Sequence, residues 1–84
     1  MIQQVSVQLF ARLRELHGSA TATVPLPDGS TVADLRKVID LLWRGELRSL
    51  AQKSAVAVNG EYAADESAIG PNDDVALIPP VSGG

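Results

Sequence analysis

Cysteine is absent from the 84 residues, which removes disulfides, thiolate metal sites and cysteine nucleophiles at once. That absence suits a reducing compartment. Aromatics are nearly missing, with one each of Phe, Trp and Tyr, so there is no platform on which successive bases could stack. Histidine occurs once, at His17, and no imidazole cluster exists to start a metal site. An excess of positive charge is also lacking: 7 Lys and Arg against 10 Asp and Glu leave a net charge of -3. Nucleic acid and anionic membrane both call for a basic patch and are therefore not expected partners. No stretch approaches the ~18–20 apolar residues of a membrane span. Met1-Ile2-Gln3-Gln4 has neither the basic segment nor the apolar run of a signal peptide. A soluble cytoplasmic protein is expected.

What is present is a hydrophobic fraction of 45%, ordinary for one small globular domain with its own core. Val5, Val7 and Leu9 alternate with Ser6, Gln8 and Phe10, which predicts a first strand over 3–10 with one buried face. Ala11 to His17 contains good helix formers, with Leu13 and Leu16 three apart, and Gly18 stands where a left-handed residue would stop the turn. Ala20, Ala22, Val24 and Leu26 alternate again. This second strand is expected at an edge, antiparallel to the first, because Pro25 cannot donate to a central ladder. Pro27-Asp28-Gly29-Ser30 is a turn, and Thr31 with Asp34 three residues on forms a capping pair. Val32, Leu35, Val38, Ile39, Leu42 and Trp43 recur at helical spacing, predicting an amphipathic helix over 31–44 ended by Gly45, with Trp43 as a core plug. Residues 46–54 read either as a ragged helical extension or as a packed loop. Ala55 to Asn59 is a compact apolar strand, and Asn59-Gly60 is a strong hairpin signal that pairs it with Glu61-Tyr62-Ala63. After the turn Gly70-Pro71-Asn72-Asp73, the apolar run Val75 to Ile78 suits a central strand. One long helix across one mixed sheet of about five strands, plus a short helical turn, is the ubiquitin-like β-grasp, an α+β fold. The expected organisation is a β-grasp domain over 1–78 and a flexible tail over 79–84.

The body offers little for catalysis. No Gly-rich loop followed by Lys is present to cradle a nucleotide phosphate. His17, next to Gly18, is most simply a surface residue or a favourable charge at a helix C-terminus. Asp73-Asp74 and Asp65-Glu66 are adjacent pairs in turns, suited to turn hydrogen bonds rather than to opposed acid/base work. What remains usable is the tail, Pro79-Pro80-Val81-Ser82-Gly83-Gly84. Two prolines stiffen its departure. At ~3.3 Å per residue it reaches roughly 20 Å, enough to thread a partner's cleft. The carboxylate of Gly84 is a poor acyl donor until adenylated; a sulfur nucleophile could then turn it into a thiocarboxylate. Glycine suits that chemistry, since no β-carbon blocks attack.

The chain resembles the small subunit of molybdopterin synthase, a sulfur carrier of molybdenum-cofactor synthesis. The resemblance rests on Phe10-Ala11-Arg12 with Arg14-Glu15-Leu16 and Gly18, on Thr31-Val32-Ala33-Asp34-Leu35, and on Ala57-Val58-Asn59. Its most specific part is Asp74-Val75-Ala76-Leu77-Ile78 running into Pro79-Pro80-Val81-Ser82-Gly83-Gly84. Two departures stand out: Leu77 and Ile78 occupy positions that are often aromatic, and Asn72-Asp73 stands where a glycine is common, with Asn72 expected to accept the left-handed backbone. The resemblance implies that an E1-like partner uses ATP to adenylate Gly84 and that a sulfur donor protein completes the thiocarboxylate. It implies that the tail, Pro79 to Gly83, enters the large subunit's active site, where sulfur passes to cyclic pyranopterin monophosphate to build the dithiolene. A heterotetramer follows from the same resemblance, with no cofactor bound by this chain itself and no enzyme formed by this chain alone. Phe10, Leu77 and Ile78 are implied as an apolar docking surface, although alternation turns one of the last two to the core and Phe10 also reads as an ordinary sheet-face residue. A sulfur carrier for thiamin or another pathway, a ubiquitin-like protein modifier, and an inert interaction module are the alternatives.

Overall fold

Alternation in the first strand sets the sheet. The computed structural model describes residues 1–80. In β1 (Ile2–Leu9), Val5, Val7 and Leu9 are buried while Ser6 and Gln8 face out. β2 (Thr21–Pro27) runs antiparallel to it, with Val5 opposite Val24 and Val7 opposite Ala22. Pro25 lies opposite Gln4 and β2 is an edge strand, as the missing proline N–H requires. On its other side β1 pairs in parallel with β5 (Val75–Ile78), which in turn pairs antiparallel with β3 (Ala55–Val58). β4 (Glu61–Tyr62) closes the order β2-β1-β5-β3-β4. The mixed sheet and its helical cover are those of a β-grasp α+β fold, with the last strand at the centre.

α1 (Ala11–His17) is stopped by Gly18, whose φ of 87° is left-handed and whose N–H donates to Arg14 O. Phe10 caps its start with extended backbone, so β1 ends one residue earlier than expected. α2 (Val32–Leu42) opens on a capping box: the Thr31 hydroxyl accepts from the Asp34 N–H, and the Asp34 carboxylate accepts from the Thr31 N–H at 3.0 Å. Val32, Leu35 and Ile39 of α2 are buried with Leu13, Val24, Leu26, Ile69 and Leu77 in one core. Each such side chain contributes ~1.5–3 kcal/mol of burial.

The end of α2 differs from expectation. Trp43 leaves the helix with extended backbone (φ -99°, ψ 157°), and Gly45, at φ 61°, begins a further helix, α3 (Gly45–Lys53). The reason is one-sidedness: Leu47, Leu50 and Ala51 reach the core only if the chain folds back. Asp40 fastens the fold-back, accepting from Arg48 Nη2 at 3.0 Å and from Gln52 Nε2 at 2.7 Å. Residues 46–53 thus belong to a separate helix with Ser54 as its C-cap, neither a ragged extension of α2 nor a loop.

The hairpin between β3 and β4 turns through Asn59 (φ 54°) and Gly60 (φ 83°), both left-handed as a type I′ turn demands. Asn72 does not take the left-handed backbone; among the described residues the non-glycine positions that do are Ala11 and Asn59. The turn before β5 is held instead by Asp73, which accepts from the Gly70 N–H at 2.7 Å and from Asn59 Nδ2 at 3.0 Å. No helix among the described residues is long and apolar enough to cross a membrane.

Candidate functional site

β5 positions the root of the tail. Its neighbours on both sides are paired strands, so Ile78 is tethered to Ala55 and, one residue back, Leu77 lies between Val56 and Leu9. A four-residue strand so placed is rigid up to Pro79, and the chain leaves it through Pro79, half-buried, and Pro80, exposed. Val81, Ser82, Gly83 and Gly84, the tail positions expected to carry the chemistry, lie outside the described residues.

Strand alternation separates the two residues that precede the prolines. Leu77 is 1% exposed and belongs to the core, so it offers almost no surface to a partner. Ile78 points to the opposite face of the sheet and is half-buried. Phe10, directly after β1 and so beside β5, is 45% exposed. These two share a groove with Leu50, Pro79 and Pro80, and Arg12 and Lys53 stand at its edge. The Arg12 guanidinium is fixed by Glu15 at 3.1 Å and Glu46 at 3.2 Å, which joins α1 to α3 and steadies that wall.

The register extends the same face. Tyr62 lies opposite Ala57, Ala57 opposite Ala76, and Ala76 opposite Gln8, so all four point away from the helices. Tyr62 is 75% exposed, a large side chain left standing above a floor of alanines. Sequence reasoning missed it, although the Asn59-Gly60 turn already fixed it opposite Ala57. It also missed Leu50 and Lys53, which no local pattern links to the tail. Ala11, at φ 51°, was equally silent: an alanine there stores local strain of ~1–2 kcal/mol immediately beside Phe10.

His17 is not the plain surface residue expected. It is half-buried, with its ring 5.6 Å from that of Trp43, and Trp43 itself packs against the core as a plug. Asp73 and Asp74 do serve the turn, Asp74 donating its N–H to Asn59 Oδ1 at 2.9 Å. Asp65 faces Arg36 at 3.5 Å.

A β-grasp body whose central last strand leads into Pro79 and Pro80 beside a groove lined by Phe10 and Ile78 has the ubiquitin-like fold. Residues 7–84 match the ThiS family, and the chain belongs to that family. It is 37% identical over 83 residues to the molybdopterin synthase sulfur carrier subunit of Arabidopsis thaliana, covering 96% of this chain and 83% of that protein. The protein of the same name from Dictyostelium discoideum is 36% identical over 87 residues and is covered completely, as is this chain. Among solved structures, the crystal structure of SAMP1 from Haloferax volcanii superposes with a TM-score of 0.73 at 34% identity, over 96% of this chain and 99% of that one.

Proposed function

We propose that this protein is the sulfur-carrier small subunit of a molybdopterin synthase. The observation that carries the reading is the continuity of β5 into Pro79-Pro80-Val81-Ser82-Gly83-Gly84, in a chain 36–37% identical to two sulfur carrier subunits along nearly all its length. In this reading the Gly84 carboxylate attacks the α-phosphorus of ATP on an E1-like partner, releasing pyrophosphate and forming an acyl-adenylate. Sulfide-level sulfur delivered by a donor protein then attacks the acyl carbon, AMP leaves, and a thiocarboxylate remains. The large subunit takes up Pro79 to Gly84, the thiocarboxylate sulfur bonds to cyclic pyranopterin monophosphate, and water cleaves the acyl–sulfur bond to return the Gly84 carboxylate; two carriers in succession supply the two sulfurs of the dithiolene. The body acts by positioning, which turns an encounter between two solutes into a step within one complex.

Exposed Phe10 and half-buried Ile78 in one groove, and exposed Tyr62 on the same side of the sheet, support this role as apolar surface that a partner would cover, since exposed apolar patches mark interaction sites. Reconstitution tests the proposal. The thiocarboxylated chain mixed with a large synthase subunit and cyclic pyranopterin monophosphate is expected to form molybdopterin, and the chain lacking Gly84 is expected to form none. Molybdopterin formation by the truncated chain would refute the role of Gly84.

A second reading has a specific basis: the chain is 36% identical to the small archaeal modifier protein 1 of Haloferax volcanii, over 92% of this chain. Activation of Gly84 would be the same, and a lysine amine rather than a sulfur would be the acceptor. Conjugates of higher mass that vanish on deleting Gly84 would favour the modifier; their absence beside active reconstitution favours the carrier.

A further inference from the structure

The two ends of the sheet carry charge of opposite sign. β1 and β5 run parallel, so Phe10, Ile78 and the root of the tail share one end, and β3 starts there too, with Ala55 opposite Ile78. α1 and the end of α2 meet at the same end: the Leu9 N–H donates to Ala20 O just beyond α1, and Trp43 packs against His17. Five of the seven basic side chains therefore stand at the tail end, Arg12, Arg14, Arg44, Arg48 and Lys53, beside three carboxylates, Glu15, Asp40 and Glu46. The opposite end takes the other seven of the ten carboxylates. Asp28 and Asp34 flank the start of α2, and Asp65, whose carbonyl accepts from the Ala33 N–H, lies there with Glu66. Glu61 follows the hairpin turn, and Asp73 and Asp74 precede β5. With Arg36 and Lys37 set against them, these side chains leave -5 at the far end and +2 at the tail end, within the net charge of -3.

Pairing sharpens the contrast. Glu15 and Glu46 are engaged by Arg12, and Asp40 by Arg48 and Gln52. Arg14, Arg44 and Lys53 are exposed and, among the described residues, form no ion pair. Lys53 stands at the edge of the groove that holds Phe10, Ile78 and the two prolines, so free positive charge adjoins that apolar surface. The eight residues of β1 hold the two ends roughly 25 Å apart, at ~3.3 Å per residue. The Debye length at physiological ionic strength is only about 8 Å. A surface approaching the tail end therefore meets the local positive charge, and salt screens the acidic end from it.

We propose that the tail end docks on an acidic protein surface, a rim of Asp and Glu around the apolar opening that receives Pro79 and Pro80. Arg14, Arg44 and Lys53 attract that rim before contact and raise the rate of association; Phe10 and Ile78 supply the desolvated contact once it is made. An approach by the opposite end meets seven carboxylates and is repelled, so encounters are oriented before the surfaces touch. A phosphate backbone or an anionic bilayer surface would satisfy the cations but offers no apolar opening beside them for Phe10 and Ile78. That the partner is a large synthase subunit rests on the docking reading above; its acidic rim is inferred from the charges of this chain.

Stopped-flow association of the whole chain with a large synthase subunit tests the proposal. The association rate constant should fall by about tenfold or more between about 0.05 M and about 0.5 M NaCl, with the dissociation rate constant little changed. At about 0.1 M NaCl, Arg44→Glu and Lys53→Glu should each lower it by about threefold or more. Glu66→Lys, a charge reversal of the same size at the far end, should alter it by less than about twofold. An association rate independent of salt, a rate that rises on either tail-end reversal, or an equal effect of Glu66→Lys would each overturn the proposal. So would sedimentation of the chain with phosphatidylserine vesicles at about 0.1 M NaCl that the two tail-end reversals abolish, since the cations would then serve a membrane. Absence of binding at every salt concentration would overturn the docking reading and this proposal together, whereas binding without salt dependence overturns this proposal alone.

Discussion

Leu77 and Ile78 are neighbours in sequence that the sheet assigns to opposite jobs, and substituting each by alanine should separate stability from binding. Leu77 is 1% exposed, opposite Val56 on one strand and Leu9 on the other. Truncating a leucine in such a place costs ~2–5 kcal/mol, from lost burial and from the cavity left behind. An 84-residue domain has only ~4–12 kcal/mol in total, so Leu77→Ala removes a large share. At ~4–8 °C per kcal/mol, a loss near 3 kcal/mol lowers Tm by roughly 12–24 °C. Ile78 is half-buried on the outer face, and its truncation should cost about 1 kcal/mol or less. Urea unfolding followed by circular dichroism should therefore show a large fall in midpoint for Leu77→Ala and a small one for Ile78→Ala, with the slope unchanged. Binding to a large synthase subunit should show the reverse order once corrected for the folded fraction. Equal destabilisation by the two changes, or a neutral Leu77→Ala, would mean that the face assignment of β5 is wrong.

Other expectations follow from single contacts. Thr31→Ala removes the hydroxyl of the capping box and should cost ~0.5–2 kcal/mol in urea unfolding, with Thr31→Ser recovering most of it. The Asp34 carboxyl is held below the usual carboxylate range first by the Thr31 N–H, that of Asp40 by Arg48 and Gln52, and that of Asp73 by the Gly70 N–H and Asn59. A depressed folded pKa contributes stability above the unfolded carboxylate value of ~3.9 and loses it as pH falls through the folded value. The urea midpoint should accordingly drop below about pH 4, less steeply in Asp73→Asn than in the parent; a midpoint independent of pH there would count against these bonds. Tyr62→Asp and Phe10→Asp should each weaken binding to the large subunit by about tenfold or more while leaving the urea midpoint nearly unchanged.

Much of this molecule is written locally and was legible for that reason. The Thr31–Asp34 capping box, the Asn59-Gly60 hairpin, Gly18 at the end of α1 and the edge position forced by Pro25 each depend on residues within a few positions of one another. Gly45 misled because a left-handed glycine can start a helix as well as end one, and only the core tells which. The apolar run of β5 hid the difference between Leu77 and Ile78, since a run without polar interruptions carries no alternation to read. Tyr62, Leu50 and Lys53 join the tail-root surface through pairings distant in sequence. The burial of His17 Nδ1 against Trp43 needed the turn at 43–44, which the unbroken helical spacing concealed.

The central claim is that the chain carries sulfur at Gly84. Intact mass after incubation with an E1-like partner, ATP and a sulfur donor tests it most directly. A gain equal to the exchange of one oxygen for sulfur, mapped to the C-terminal peptide and absent when Gly84 is deleted, is the predicted result. An unchanged mass in the presence of a partner that thiocarboxylates a known carrier would contradict it.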